Sequence, residues 1–260
     1  MLKKLLSQLK KLSWLPLSLL LVSPVWAGVD FAGDTDKIAT SDIPVEATPI
    51  TLAAWINLET LSGDESGIIN KWDADTAFFW RVENDGAIRF QTSDGSSRAS
   101  ETAATIISAG TWYHVALTFD GEAGTGGGHA THYVDGVLKT EDTTDNTYVI
   151  QDTADVIQFG LRAASSDEFN GKMSEVAVWV GVELSQAEIN LLALSKVKGM
   201  PLQIQPASLK IYLPLDDYPE GTGTISGLTF IDRSGNGNDG TGTDADNDSD
   251  TIAEEVLSYQ

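Results

Sequence analysis

Short runs in which apolar and polar residues alternate make up most of the chain after residue 28. A period of two places successive side chains on opposite faces of a strand, so each run predicts a strand with one buried face. Many short strands separated by turn residues are typical of an antiparallel β-sandwich, and the sequence therefore predicts an all-β fold. The clearest runs are residues 50–58, 67–72, 77–82, 87–91, 111–119, 130–134, 137–140, 156–160 and 172–180.

Two local signals mark a turn and the start of one helix. Asn84-Asp85-Gly86 stands between two predicted strands, and asparagine and glycine tolerate the positive φ of a hairpin turn. Ser185 and Glu188 have the spacing of a capping box, in which each side chain accepts a hydrogen bond from the other residue's backbone N–H. Apolar residues follow, so we expect one short helix near residues 185–195, packed on an edge of the sandwich.

The first 27 residues have the organisation of a secretory signal peptide. Four lysines and a short apolar run (residues 14–22) precede Val25-Trp26-Ala27, which fits the small-residue cleavage pattern. An amphipathic helix or membrane anchor is the alternative, but the run is shorter than the ~20 residues that span a bilayer. We predict a mature chain of residues 28–260 that is secreted into the periplasm or the extracellular space.

Charge and composition narrow the classes of partner. The 260 residues include 16 Lys+Arg against 38 Asp+Glu, which gives a formal net charge of −22. Nucleic-acid binding requires a cationic face, so we expect no nucleic-acid partner. The absence of cysteine excludes disulfides, thiolate zinc sites and cysteine nucleophiles. Since no later apolar run is long, we expect the mature protein not to be embedded in a membrane.

Four segments carry motifs of a known family in the expected order. They are residues 52–56 (LAAWI), 111–121 (TWYHVALTFDG), 133–136 (YVDG) and 169–179 (FNGKMSEVAVW), the last followed by 184–189 (LSQAEI). Over residues 28–195 the chain resembles the laminin-G-like, concanavalin A-like jelly-roll domains, a group that includes the pentraxins. The resemblance implies two curved antiparallel sheets that bind glycans or other extracellular ligands, often with calcium.

The C-terminal part resembles the segment that usually opens such a domain. Residues 209–216 (LKIYLPLD) and 231–240 (IDRSGNGNDG) carry this similarity, and related tails occur in phage and bacterial surface proteins. Because the termini of a jelly roll lie close together, we expect residues 209–240 to return to the same sandwich. The alternative is the start of a second domain, for which too few residues remain to bury a core.

Candidate catalytic groups are few. Glycoside hydrolases need two carboxylates close together around the scissile bond. The nearest match is Glu83-Asn84-Asp85, which no glutamate follows at the required spacing and which the predicted hairpin turn already explains. We therefore predict no catalytic residues. A hydrolase whose carboxylates come from separate strands is a less favoured alternative.

Calcium is the cofactor that the acidic composition favours, because calcium takes hard oxygen ligands. The candidate ligands are two aspartate pairs, Asp34 with Asp36 and Asp73 with Asp75. A third acidic run, residues 244–255, has the spacing of an EF-hand loop but lacks its turn glycine and a preceding helix, so a solvated loop is the alternative there. The second pair stands where the resemblance to pentraxins implies a pair of ligands. The stretch 161–167, which would complete a pentraxin-like site, has lost most of the expected carboxylates, so the resemblance does not extend to a two-calcium site.

The candidate ligand-binding residues are aromatic and basic side chains that point away from the predicted core. Along residues 77–82 every second side chain faces the core, which leaves Phe79 and Arg81 on the opposite face. A sugar site needs exposed aromatic rings beside polar groups. The alternative is that these side chains complete a large core or an oligomer contact. The predicted site consists of Trp72, Phe79, Arg81, Arg89 and Tyr113.

Three functional hypotheses follow. The first is a secreted, non-catalytic module that recognises a glycan or another cell-surface ligand. The second is a structural subunit of an extracellular assembly or virion, in which strand edges pair between copies and the protein self-assembles. The third is the glycoside hydrolase. An acidic, cysteine-free sandwich without a recognisable catalytic motif favours the first two.

Overall fold

A computed structural model of the chain describes residues 25–26, 28–32, 36–46, 48–61, 65–73, 76–94, 98–121, 128–141, 150–161, 167–194, 198–218, 222–244 and 255–256. Within these residues no helix is long and apolar enough to cross a bilayer. The predicted calcium ligands Asp34 and Asp75 lie outside the described residues.

The described residues form mainly β-strands. One α-helix, α1 (Gln186–Leu194), and one 3₁₀ turn (Met200–Gln203) interrupt them. In chain order the strands are β1 (Val25–Trp26), β2 (Val29–Ala32), β3 (Lys37–Asp42), β4 (Ile50–Leu58), β5 (Ser66–Asp73), β6 (Thr76–Val82), β7 (Ile88–Asp94), β8 (Arg98–Glu101), β9 (Tyr113–Phe119), β10 (Ala130–Val134), β11 (Val137–Glu141), β12 (Val156–Phe159), β13 (Asn170–Val180), β14 (Leu209–Leu213), β15 (Thr229–Phe230), β16 (Gly240–Thr243) and β17 (Glu255–Val256).

Two antiparallel sheets build the sandwich. Sheet I has the order β15-β16-β3-β12-β5-β6-β7-β8, and sheet II has the order β11-β10-β9-β4-β13-β14, with β2 also paired to β13. The all-β antiparallel fold predicted from the sequence is thereby confirmed. The predicted turn is also present, since Gly86 has φ 81° and its N–H donates to Glu83 O at 2.9 Å.

The main core lies between the two sheets. Every second residue of the central strands is buried there, as period-two alternation requires. Phe90 of sheet I meets Phe119 of sheet II with ring centroids 5.6 Å apart, which shows the two inner faces in direct contact. Trp80 and Phe159 are completely buried in the same layer. Burial of large apolar side chains is the main force that holds the sheets together.

Helix α1 covers the outer face of sheet II. Ile189 and Leu192 of the helix pack with Tyr133, Trp179 and other residues into a second apolar cluster. The indole N–H of Trp179 donates to Ile204 O at 2.8 Å, so the buried polar atom is satisfied. The helix begins as predicted. Ser185 N–H donates to Glu188 Oε2 at 2.8 Å, and Glu188 N–H returns a long bond to Ser185 Oγ.

The C-terminal segment contributes strands to both sheets. Strand β14 pairs with β13 in sheet II, while β16 pairs with β3 in sheet I. A separate two-stranded ladder pairs β1 with β17, Val25 opposite Val256. Since β1 falls inside the predicted signal peptide, cleavage after residue 27 would remove this ladder and leave the sandwich intact.

A buried carboxylate anchors the C-terminal segment on sheet II. Glu175 interrupts the ladder of β13 at a bulge, where its backbone has φ 52°. Its Oε2 accepts hydrogen bonds from Tyr212 Oη at 2.7 Å and from Gly199 N at 3.2 Å. Burial raises the pKa of Glu175 to about 7, against the opposing effect of these two hydrogen bonds. Nearby, Lys198 and Asp216 form a 2.6 Å ion pair.

Candidate ligand-binding face

One row of residues crosses the outer face of sheet I from edge to edge. In an antiparallel ladder, directly opposed residues project to the same face. The strand registers join eight such residues, one from each strand of the sheet. We call them the outer row: Thr229, Thr241, Ala39, Gln158, Asn70, Phe79, Gln91 and Ala99.

The outer row differs in composition from the row beside it. One residue further along each central strand, the side chains point inward and include Ile38, Phe159, Ile69, Trp80 and Phe90, all within the core. The outer row instead consists of threonine, alanine and amide side chains around a single phenylalanine. Among the described residues, neither apolar core cluster extends onto this face. A sheet face of this kind is polar and is not covered by the helix.

A charged cluster flanks the outer row. It comprises Arg81, Arg89, Glu65, Glu83 and Glu101, with Arg81 and Arg89 directly opposed on β6 and β7. The Nε of Arg81 lies 2.7 Å from Glu65 Oε2 and 3.0 Å from Glu83 Oε1. The Nη1 of Arg89 lies 3.5 Å from Glu83 Oε1 and 3.7 Å from Glu101 Oε2. Each guanidinium is thus shared between two carboxylates.

One carboxyl group of this cluster, that of Glu65, has a perturbed pKa. The pKa of Glu65 is raised, chiefly because the side chain is partly removed from water, and the adjacent Glu83 charge adds to the effect. The Arg81 guanidinium acts in the opposite direction without cancelling it. Arg81 therefore compensates a pair of carboxylates that would otherwise repel each other.

Two of the predicted aromatic ligands lie on this face but beneath other side chains. The guanidinium carbon of Arg81 sits 4.7 Å from the ring centroid of Phe79, a cation–π distance. On the other side, the rings of Trp72 and Phe79 are 6.5 Å apart. Phe79 is completely buried and Trp72 is only 6% exposed, so neither ring offers an open stacking surface. Arg89 is the most exposed of the predicted residues on this face.

Amide groups that sequence analysis missed occupy the centre of the outer row. Asn70 is buried, and its Nδ2 donates to Leu161 O at 2.7 Å, which orients its Oδ1 away from that carbonyl. No described residue donates a hydrogen bond to Asn70 Oδ1 or to Gln158 Oε1. Gln91 Oε1 accepts from Arg81 Nη1 at 3.0 Å. The centre of the face therefore holds two buried amide oxygens to which no described residue donates a hydrogen bond.

Tyr113 does not join the other predicted ligand residues. It belongs to β9 of sheet II, where it opposes Ile56 and packs against the main core. Its neighbour His114 is buried against Trp55, and burial lowers the pKa of His114 to about 3. The imidazole is therefore neutral at physiological pH and belongs to the packing of sheet II.

The described residues give no support for a metal centre. They bring no three histidine or carboxylate side chains together as a ligand group. Asp36 is buried, and its Oδ2 accepts a 3.0 Å hydrogen bond from the N–H of Ala32 at the end of β2. The side chain of Asp73 is outside the described part of the structure, as are Asp34 and Asp75. The predicted calcium ligands therefore remain a prediction.

The predicted Glu83-Asn84-Asp85 motif forms a turn. Asp85 Oδ1 accepts from Ala87 N at 2.9 Å, within the hairpin that joins β6 to β7. Glu83, which follows β6, instead meets Glu65, which precedes β5, at Arg81, so that two carboxylates contact one guanidinium. Both carboxylates balance the charge of Arg81, as in an ion-pair network.

Comparison with known proteins agrees with this architecture. The family model described as the concanavalin A-like lectin/glucanases superfamily matches residues 32–190. No protein with a curated description matches the sequence.

Solved structures share the fold at low sequence identity. A Bacteroides ovatus protein proposed to bind carbohydrate superposes with a TM-score of 0.63 at 20% identity, over 88% of this chain and 60% of that one. The binding domain of Paraclostridial Mosquitocidal Protein 1 gives 0.51 at 17% identity, over 64% of this chain and 42% of the other. A heptameric pentraxin from Limulus polyphemus gives a TM-score of 0.49 at 15% identity, over 66% of this chain and 83% of the pentraxin chain. This chain thus spans only part of the first two proteins.

Proposed function

The chain belongs to the concanavalin A-like lectin/glucanases superfamily, and from that membership we propose that it is a secreted, non-catalytic module that binds carbohydrate through the outer face of sheet I. The observation that carries the proposal is the outer row. It places small and amide side chains on a sheet face that the helix does not cover, with Asn70 and Phe79 buried at its centre and a charged cluster centred on Arg81 beside it.

The chemistry of the outer row suits sugar hydroxyl groups. A buried amide oxygen without a donor costs free energy, and a hydroxyl group that reaches it removes that cost. Asn70 and Gln158 supply such acceptors side by side, since they are directly opposed on β5 and β12. Seven interstrand spacings of about 4.8 Å make the outer row roughly 34 Å long, enough for several sugar units. A row of this length also accommodates an extended chain.

The similar solved structures support the same class of function. The Bacteroides ovatus protein, proposed to bind carbohydrate, shares this fold over most of the present chain. The identity of 20% limits that similarity to the fold. The proposal therefore depends on the residues of the outer row, and the similarity only agrees with it.

A glycan array followed by isothermal titration calorimetry tests the proposal. We expect at least one oligosaccharide on the array to bind, and Gln158→Ala to weaken its binding about tenfold, the value of one net hydrogen bond. The control is Gln203→Ala, because Gln203 is exposed in the 3₁₀ turn near α1. Equal affinities for Gln158→Ala and the wild type would place the site elsewhere. Parallel arrays with calcium and with a chelator test the predicted metal dependence.

A second candidate function is self-assembly into a structural array, and one surface favours it. Val137 on edge strand β11 and Leu194 on α1 are 56% and 70% exposed. The two elements are adjacent, since Gln186 Nε2 donates to Gly136 O at 2.5 Å. Light scattering tests this candidate. Assembly predicts species larger than a monomer that the variant Leu194→Glu dissociates, whereas a monomer at all concentrations would reject it.

A further inference from the structure

We propose that the outer face of sheet I selects uncharged glycans and rejects acidic ones, because its two arginines are already neutralised within the charged cluster. This inference rests on the proposed function and specifies the ligand class of the same site. Acidic sugars carry carboxylate or sulfate groups, which proteins bind through guanidinium or ammonium groups with free donors. On this face the candidate donors are the guanidinium groups of Arg81 and Arg89.

The guanidinium of Arg81 has no free hydrogen-bond donor. It is only 3% exposed. Its Nε contacts Glu65 and Glu83, its Nη2 donates to Glu65 Oε1 at 3.1 Å, and its Nη1 donates to Gln91 Oε1 at 3.0 Å. Every nitrogen of the guanidinium is thus committed to a partner on the protein. An incoming carboxylate would have to displace a glutamate that is already held at short distance.

Arg89 is partly exposed, and its charge is offset by two glutamates, although no described residue accepts a hydrogen bond from its buried Nε. Its side chain is 33% exposed, and its Nη1 faces Glu83 and Glu101 at 3.5 and 3.7 Å. The cluster therefore holds two positive and three negative side chains. With Glu65, Glu83 and Glu101 ionised, its formal charge is −1. The cluster presents a weakly negative surface to a ligand.

The charge of the whole chain acts in the same direction. A formal net charge of −22 surrounds the face with a negative potential that repels acidic polymers before contact. The amide oxygens of Asn70 and Gln158 add a local requirement for donors, which hydroxyl groups satisfy and carboxylate groups do not. The charged cluster, the net charge of the chain and the amide oxygens of the outer row thus all favour uncharged glycans.

The test is a glycan array that carries neutral oligosaccharides beside the same backbones with uronic acid, sialic acid or sulfate substituents. We expect the wild type to bind neutral members at least tenfold more tightly than their acidic counterparts. Its affinity for neutral members should not change with salt, because no ion pair to the ligand forms. Acidic members bound as tightly as neutral ones would overturn the inference while leaving carbohydrate binding intact. Binding to no glycan at all would instead overturn the proposed function.

Charge variants test the cause of the selectivity. In Glu65→Gln/Glu83→Gln the partners of Arg81 lose their charge, so we expect at least a tenfold gain in affinity for acidic glycans at low salt, lost at high salt. Glu101→Gln releases Arg89 at an exposed position and should give a smaller gain without affecting folding. Circular dichroism verifies that each variant is folded. Folded variants that still reject acidic glycans would show that the cluster does not set the selectivity.

Discussion

The buried carboxylate of Glu175 makes a quantitative prediction about the pH dependence of stability. Removal of the carboxyl group from water is the largest effect and raises its pKa from the ordinary 4.5 to about 7. Hydrogen bonds from Tyr212 and Gly199 act against the rise. Among charged neighbours, Asp216 raises the pKa further and Lys198 lowers it. The folded state therefore holds this proton more tightly than the unfolded state.

The sign of the effect follows from proton linkage. Below pH 4.5 both states are protonated and the group costs nothing. Between 4.5 and about 7 the unfolded state is ionised while the folded state keeps its proton, so stability falls as pH rises. At about 1.4 kcal/mol per pH unit, the loss is complete above pH 7 and amounts to about 3 kcal/mol.

Glu175→Gln isolates this contribution. The amide keeps an oxygen that accepts from Tyr212 and Gly199 but has no proton to lose in this range. Urea unfolding followed by tryptophan fluorescence gives the free energy of unfolding of both proteins from pH 4 to pH 8. The variant minus wild-type difference should rise by about 3 kcal/mol across the series. Any constant cost of the substitution cancels in this comparison.

Glu188→Gln is the matched control, because the pKa of Glu188 is shifted in the opposite direction to that of Glu175. Its position in the capping box lowers the pKa of Glu188, because hydrogen bonds from Ser185 and Gln205 outweigh partial burial. Its contribution to stability is therefore lost as pH falls through the acidic range. A Glu175→Gln difference that stays constant from pH 4 to pH 8 would refute the assignment of Glu175 as a buried, proton-retaining group.

Two further predictions concern local structure and are checked by urea unfolding at neutral pH. Ser185→Ala removes the side-chain acceptor for Glu188 N–H and should cost about 1 kcal/mol, while Ser226→Ala, on an exposed turn, should change stability little. Lys71→Met leaves Asp42 and Asp152 without the buried ammonium that lies 2.6 and 2.7 Å from them, and should cost about 2 kcal/mol because both carboxylates keep access to water. A Lys71→Met protein as stable as the wild type would contradict that role.

Strands with apolar alternation were predictable, and those without it were not. Strand β4 opposes β9 and β13, and all three show the alternation in their sequence. Strand β16 reads Gly-Thr-Gly-Thr, which has no apolar residue to reveal it. Packing explains the glycines, because a Cβ on Gly240 would lie 2.4 Å from Ile38 Cγ2 and one on Gly242 would lie 2.2 Å from Ile225 O. Close approach between segments is a tertiary property that local patterns do not show.

The candidate site was predictable only where it depends on neighbouring strands. Period-two alternation predicted that Phe79 and Arg81 share a face, and the β6–β7 hairpin brings Arg89 opposite Arg81. Asn70 and Gln158 escaped prediction because their pairing joins strands that are 88 positions apart. Tyr113 was grouped with this face because sequence alternation does not specify which sheet a strand joins. Burial of Trp72 and Phe79 likewise depends on neighbours such as Arg81.

The most direct test of the central claim is to observe which surface a bound sugar contacts. Two-dimensional NMR of the ¹⁵N-labelled chain, titrated with the tightest-binding neutral oligosaccharide of the array, reports the side-chain amides individually. We predict that the amide signals of Asn70, Gln91 and Gln158 shift on titration, while those of Asn190 and Gln203 near α1 stay fixed. Shifts confined to the α1 side, with the three outer-row amides unchanged, would contradict the assignment of the outer face of sheet I as the binding surface.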